Sequence, residues 1–286
     1  MSDSKLILVT GGAGFVGSRL CARLQKEGHH VISLDNYFTG SRDARVPGVE
    51  YREGHTKDIE KHVSETPDII YHLGEYSRVE QSFDDVALVW DLNKAGTFGV
   101  LEFWRKRACK LVYAGSSTKF ADGGLGRDQS PYAWTKASNT ELVRNYSAWF
   151  KLPHAITYFY NVYGPGERSG KYGTVIEIFR QKHLKGEPLT VNAPGTQKRN
   201  FTYIEDIVEG LLLVGEKGEG DDYGLGDERE YSILEIAKLF GGKMVMGPAT
   251  AGNRMASAID TAKAKGLGWK VTTSVEEYVK KIVAGS

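Results

Sequence analysis

Residues 5–17 read K-L-I-L-V-T-G-G-A-G-F-V-G, a short apolar run followed by glycines 11, 14 and 17 in the spacing G-x-x-G-x-x-G. The run has the composition of a strand buried on both faces. Gly11 permits a tight turn, Gly14 lets backbone approach phosphate groups, and Gly17 lets the next helix pack on the strand. A helix over 15–27 would then aim its first N–H groups and its dipole at an anion. The stretch reads as a strand–turn–helix pocket for a pyrophosphate.

A glycine-rich turn alone is a weak signal, because strand–helix turns are often purely structural. Its place at the start of the chain supports the reading, and so does a second β-type run, 30–34, at βαβ spacing. That run ends in Asp35, whose carboxylate would meet the adenosine ribose hydroxyls of a dinucleotide. A carboxylate there repels a 2′-phosphate, so NAD is expected rather than NADP. Arg42 is the one nearby cation able to reverse that preference.

The 286 residues suffice for one large α/β domain or two closely joined ones. With 37 basic and 36 acidic residues the net charge is +1, which leaves no one-signed field for nucleic acid or an anionic membrane. Only two cysteines occur, Cys21 and Cys109, so a disulfide framework is not expected and a reducing cytoplasm is. No secretory signal is read at the N-terminus, and no apolar run has membrane-spanning length. The seven histidines show no metal-ligand spacing, so no metal is expected.

Candidate strands lie at 6–9, 31–34, 69–72, 110–114, 154–160 and 188–191, and candidate helices at 17–27, 86–106, 132–150, 175–185 and 204–214. This alternation predicts an α/β fold with a doubly wound parallel sheet. Residues 1–165 are expected to form the dinucleotide-binding domain, with 200–225 returning to it. Residues 166–199 and 226–286 are expected to form a smaller, interleaved C-terminal substrate lobe.

A second signature is Tyr132-Ala-Trp-Thr-Lys136 on a predicted helix. Positions i and i+4 share a helix face. A free tyrosine ionises near about pH 10, so to act as a base near neutrality it needs a neighbouring cation such as the Lys136 ammonium. Lys136 can also hydrogen-bond the nicotinamide ribose. The run 110–114 ends in Gly-Ser-Ser-Thr, residues 115–118, and strand carboxyl ends line the crevice of such sheets. Ser116 is thereby placed to bind a sugar hydroxyl beside Tyr132.

These motifs carry a resemblance. The chain resembles the extended short-chain dehydrogenase/reductases of Rossmann type, in the branch of NAD-dependent nucleotide-sugar epimerases and dehydratases. The match spans nearly the whole chain: TGGAGFVG from Thr10, Asp35-Asn36, HLGEYSRVEQS from His72, LVYAGSST from Leu111, YAWTK from Tyr132, YNVYGPG from Tyr160 and QKRNFTYIEDIV from Gln197. The resemblance implies that Gly11, Gly14, Phe15 and Val16 surround the pyrophosphate and that Asp35 and Asn36 hold the adenosine ribose. It implies that Asp58 or its neighbours approach adenine, although the family's G-D-[IL]-x-D reads Gly54-His55-Thr56-Lys57-Asp58 here. Leu73, Gly74 and Ser77 would run under the cofactor. Tyr132 and Lys136 would be the catalytic pair, with Ser116 as hydroxyl partner and Ser117 and Thr118 beside the substrate. Asn161 would contact substrate phosphate or sugar, Arg199 the diphosphate, and Arg254 would stand in for the family's R-x-G-[DE]. Ser257 aligns with a gate whose small side chain implies room for an acetamido group. The helices over 86–106 and 132–150 would pair across a two-fold axis as the four-helix bundle of a homodimer.

In the family, the tyrosinate takes the sugar 4-hydroxyl proton while hydride leaves C4 for NAD. Dehydratases then use a Thr-Asp-Glu strand end, and UDP-glucuronate decarboxylases carry a Glu at the position of Thr118. The Ser-Ser-Thr end of this chain instead resembles the 4-epimerases, so a UDP-hexose or UDP-N-acetylhexosamine 4-epimerase with retained NAD is expected, with a place in polysaccharide biosynthesis. The alternatives are a nucleotide-sugar 4-dehydrogenase, a 4-ketosugar reductase or a dehydratase of the same family, and beyond them a non-catalytic dinucleotide-binding protein. Glu75 departs from the small residues usual at its position; it either faces the sugar as an extra acid–base or is a hydrogen-bonded structural carboxylate.

Overall fold

A computed structural model describes residues 4–249 and 259–285 of the chain. β1 (Leu6–Thr10), β2 (His30–Asp35), β3 (Glu50–Glu53), β4 (Ile69–His72), β5 (Lys110–Ser116) and β6 (His154–Phe159) join the strand Gly220–Leu225 in one sheet. The spatial order is Gly220–Leu225, β6, β5, β4, β1, β2, β3, and every pairing is parallel. The chain direction of winding reverses between β1 and β4, the switch point at which such sheets open a ligand crevice.

Alternate residues of β1 feed opposite cores. Ile7 and Val9 pack with Leu20 and Leu24 of the helix Phe15–Lys26 and with Ile207 and Leu211 of the helix Ile204–Lys217. Leu8 packs on the other face with Ile32, Ile70, Val100 and Trp104. Both faces are therefore covered, as a parallel sheet requires.

Two sheet strands have no counterpart among the sequence expectations. Glu50–Glu53 (EYRE) is a polar edge strand, and Gly220–Leu225 (GDDYGL) begins with acids, so neither shows an apolar run. The helix expected over 86–106 is a rod of three segments: α-helical Val86–Val89, π-helical Trp90–Ala95 and α-helical Gly96–Arg107. The helix expected over 132–150 starts at Pro131, where Ser130 caps the Ala133 N–H at 3.1 Å, and runs to Phe150.

The remaining core contains Phe179, Val191, Phe201, Ile236, Phe240 and Val279. It is framed by the helices Val175–Leu184, Ile233–Phe240 and Val275–Ala284 and by the paired strands Leu189–Asn192 and Met244–Gly247. The last two of these helices were not anticipated, although each begins with a capping box, Ser232/Glu235 and Ser274/Glu277. The segment Ala262–Gly266, assigned above to the smaller lobe, packs instead against the larger domain. Ala264 and Trp269 lie in the core under Gly220–Leu225, and Trp269 donates to the Asp206 carbonyl at 2.7 Å. Among the described residues no helix is long and apolar enough to cross a membrane.

Trp269 is 2% exposed and joins a late segment to the first core. Trp269→Ala is expected to cost about 3–5 kcal/mol, from lost burial plus the cavity left behind. Urea denaturation followed by circular dichroism measures it, and a cost under about 1 kcal/mol would mean that this segment contributes little to the fold.

Candidate active site

The glycine turn closes by backbone contact. Gly11 has φ +75°, and a Cβ there would stand 2.8 Å from the Cα of Gly74. A Cβ on Gly17 would stand 2.1 Å from the Gly11 carbonyl oxygen. Gly14 precedes the helix Phe15–Lys26 with no side chain capping it, so the first-turn N–H groups stay available to an anion. These contacts pin the end of β1 against the end of β4 and open a cleft of about 710 Å³ above the strand ends.

The cleft collects nearly all the residues expected there. Gly11, Gly14, Phe15, Val16, Asp35, Asn36, Leu73, Gly74 and Ser77 line it, as do Ser116, Ser117, Thr118, Tyr132, Lys136, Asn161 and Arg199. Asp58 does not. Its carboxylate turns outward to Lys61 at 2.7 Å, and Gly54 and Thr56 line the cleft in its place. Arg254 and Ser257 lie outside the described residues.

Asp35 accepts from the Ala13 N–H at 2.9 Å and from the Tyr37 N–H at 2.7 Å. Burial raises its carboxyl above the usual range, against the pull of those two N–H groups and of Arg168. Arg42 is drawn away from this acid: its guanidinium grips both oxygens of Glu53 at 2.8 and 2.9 Å and stacks over Tyr37. Arg42 is thus engaged with Glu53 rather than with Asp35. A bare helix start, a glycine turn and a buried carboxylate at the end of β2 together fit a dinucleotide without a 2′-phosphate.

At the end of β5, the Tyr132 hydroxyl donates to Ser116 Oγ at 3.1 Å, and Ser116 Oγ lies 2.9 Å from Thr118 Oγ1. Lys136, one turn along the helix, donates to the Ala114 carbonyl and to Glu75 Oε2. Of the two readings for Glu75, the buried hydrogen-bonded carboxylate holds: its side chain is 3% exposed. Its Oε1 accepts from Thr97 at 2.7 Å, Asn139 at 2.8 Å and Tyr113 at 3.2 Å. Burial would push this carboxyl up, but the Lys136 charge and the donated hydrogen bonds outweigh it and hold it below the usual carboxylate range. Burial likewise lowers His72 to about 4, leaving a neutral ring between Thr10 Oγ1 at 2.7 Å and Thr97 Oγ1 at 3.0 Å. The π-helical turn supplies Asn93, whose carbonyl accepts from Asn139 at 2.8 Å and whose Oδ1 takes the Tyr76 N–H at 2.7 Å.

Sequence reasoning missed several cleft residues. Arg78 donates to the Tyr172 carbonyl at 2.6 Å, and Phe38 and Tyr172 pack with Tyr76 in an aromatic cluster beside the cleft. Glu167, with Oε1 accepting the Thr174 N–H at 3.0 Å, is raised by burial to about 7. Arg78 lies inside the quoted HLGEYSRVEQS stretch and Glu167 directly follows YNVYGPG, so proximity to a motif was the available signal.

Residues 7–226 match the model of the NAD dependent epimerase/dehydratase family. A Methanocaldococcus jannaschii protein provisionally named a UDP-glucose 4-epimerase is 29% identical over 97% of each chain. A Xenopus tropicalis UDP-glucuronic acid decarboxylase is also 29% identical, over 98% of this chain and 72% of that protein. Among solved structures, the UDP-glucose 4-epimerase of Thermotoga maritima, crystallised with UDP-glucose, superposes with a TM-score of 0.91 at 27% identity, covering 98% of this chain and 97% of that one. The chain belongs to the NAD-dependent epimerase/dehydratase family, and NAD is its cofactor.

Asp35→Ala is expected to weaken NAD binding about 10- to 100-fold, the worth of hydrogen bonds to a charged group. It should also narrow the gap to NADP, while Arg42→Ala changes NAD affinity by no more than about twofold. Calorimetric titration of cofactor-stripped protein checks both, and a large loss in Arg42→Ala would overturn the assignment of that arginine to Glu53.

Proposed function

We propose that the chain is a nucleotide-sugar 4-epimerase acting on a UDP-hexose or UDP-N-acetylhexosamine through a transient 4-keto sugar. The observation that carries this is the strand end of β5: the Tyr132 hydroxyl lies 3.1 Å from Ser116 Oγ, Lys136 follows one helical turn later, and the next two residues, Ser117 and Thr118, bear hydroxyls. When bound, NAD would supply the hydride acceptor for this chemistry. Tyr132, held by Ser116 and one helical turn before Lys136, takes the 4-hydroxyl proton and gives it back after the keto sugar turns its other face. Ser116 orients that hydroxyl, and Asn161 and Arg199, which line the cleft wall, contact sugar or diphosphate.

Elimination or decarboxylation would call for a carboxyl acid–base at the Thr118 position, and a hydroxyl stands there. Two of the cleft carboxyls, Asp35 and Glu75, are already committed to backbone N–H groups and to Lys136. Glu167, raised to about 7, favours the second reading, a dehydratase-type step, because it is a cleft carboxyl that can hold a proton near neutrality.

Incubation with UDP-glucose, UDP-GlcNAc and their C4 epimers, read by NMR, is expected to interconvert one epimer pair. A 4-keto-6-deoxy or decarboxylated product would sink the epimerase reading and point to Glu167. Tyr132→Phe is expected to lower kcat by about 10²- to 10⁴-fold, the usual worth of general acid–base catalysis.

The reading includes a cytoplasmic homodimer. Both cysteines are buried and free, which suits a reducing compartment. The rod 86–107 and the helix Pro131–Phe150 expose Trp90 (53%), Phe98 (53%), Trp134 (40%) and Trp149 (61%), and Trp90 stacks on Trp134. So much exposed aromatic surface on two adjacent helices favours an isologous contact. Light scattering at micromolar concentration is expected to give twice the 31.6 kDa chain mass, and a monomer would refute the bundle.

A further inference from the structure

The catalytic lysine of this site is tied to an acid that the proposed chemistry does not use. Lys136 is 4% exposed and its ammonium has three N–H donors. One goes to Glu75 Oε2 and one to the Ala114 carbonyl, so a single donor is left for a ligand hydroxyl. Glu75 is held from several sides. Thr97 from the rod, Asn139 from the helix Pro131–Phe150 and Tyr113 from β5 all donate to Oε1. The charged and titratable groups facing Glu75 are Lys136, Tyr113, His72 at the end of β4, and Lys94 of the π-helical turn. The ring of His72 is neutral, and the Tyr113 phenol is raised well above its ordinary range by burial and by Glu75 itself. Lys94 is engaged by Ser138 at 3.0 Å and Asn139 at 2.7 Å. Among the described residues Glu75 is the carboxylate paired with Lys136.

We propose that Glu75 is a positioning residue for the Tyr132–Lys136 pair, a fixed counter-charge that pins the Lys136 ammonium against the end of β5 and aims its remaining N–H into the cleft. The proposal rests on the reading of Tyr132 and Lys136 as the catalytic pair. A lysine carried on a flexible stem would otherwise sample several rotamers, and a dry ammonium without a carboxylate loses its charge more readily. The glutamate removes both freedoms before any ligand arrives. Its oxygens are both occupied, so it exchanges no proton with substrate and acts through Lys136.

The test is Glu75→Gln in the full chain, read in two ways. NAD binding to cofactor-stripped protein, followed by calorimetry, is expected to weaken about tenfold because the donor aimed at the cofactor is no longer fixed. In turnover, kcat should fall while the KM for nucleotide sugar changes by less than about twofold. Should the glutamine variant fail to fold, Glu75→Asp keeps the charge but withdraws it by one methylene, and its NAD affinity is expected to drop about threefold. Wild-type NAD affinity in either folded variant overturns the proposal. If the native protein turns over no nucleotide sugar, the functional reading fails alone, because the NAD titration still decides the role of Glu75.

Discussion

The rest of the structure depends on a contact without side chains. At the switch point of the sheet, the backbone of Gly11 meets that of Gly74, with 2.8 Å between a notional Cβ and the neighbouring Cα. Gly17 meets the Gly11 carbonyl more closely still. Any larger residue at these places would part β1 from β4 or lift the first helix from the sheet. The cleft exists because three polypeptide segments come together there with nothing but main chain between them. The Thr10 hydroxyl reinforces the junction, receiving the Gly74 N–H at 3.1 Å.

From that junction a buried polar chain runs sideways under the cleft floor. Thr10 touches His72, His72 touches Thr97, Thr97 touches Glu75, and Glu75 holds Lys136. Four segments that are distant in sequence are joined by hydrogen bonds in a dry interior, where each unsatisfied group would be costly. The glycine turn after β1 and the helix Pro131–Phe150 are thus parts of one hydrogen-bonded framework. Function class follows from the site mounted on this frame rather than from the frame itself, since relatives of equal identity carry the names of epimerases and decarboxylases. What distinguishes this chain locally is the hydroxyl run after β5 and the acid at position 75.

Most of the architecture was legible because buried parallel strands advertise themselves as apolar runs. β1, β2, β4, β5 and β6 all fell where such runs stand. The edges were not legible: Glu50–Glu53 is exposed to solvent on its outer side, and its pairing with β2 is written in tertiary contacts rather than in pattern. The helices Ile233–Phe240 and Val275–Ala284 carry Ser-x-x-Glu starts, a local signal that stands apart from hydrophobic period. At the site, residues inside motifs came together, whereas Asp58, although it keeps the last acid of the family pattern, turns to Lys61 one turn away. The role of Glu75 was undecidable from sequence, since the choice between facing a ligand and facing a lysine is a matter of side-chain direction.

The π-helical turn Trp90–Ala95 also sets the orientation of the rod's two halves. One surplus residue in a turn rotates everything beyond it by about 100° relative to an unbroken α-helix. Val86 on the near half, Trp90 at the start of the turn and Phe98 on the far half therefore reach the outer surface in a phase that a regular helix of the same sequence would not give them. Inside, the same surplus presents Asn93 to Asn139 and Tyr76. A single irregular turn thus couples inner and outer geometry: trimming it by one residue to regularise the helix would turn the far half about its own axis and unseat the amide that anchors the YxxxK helix.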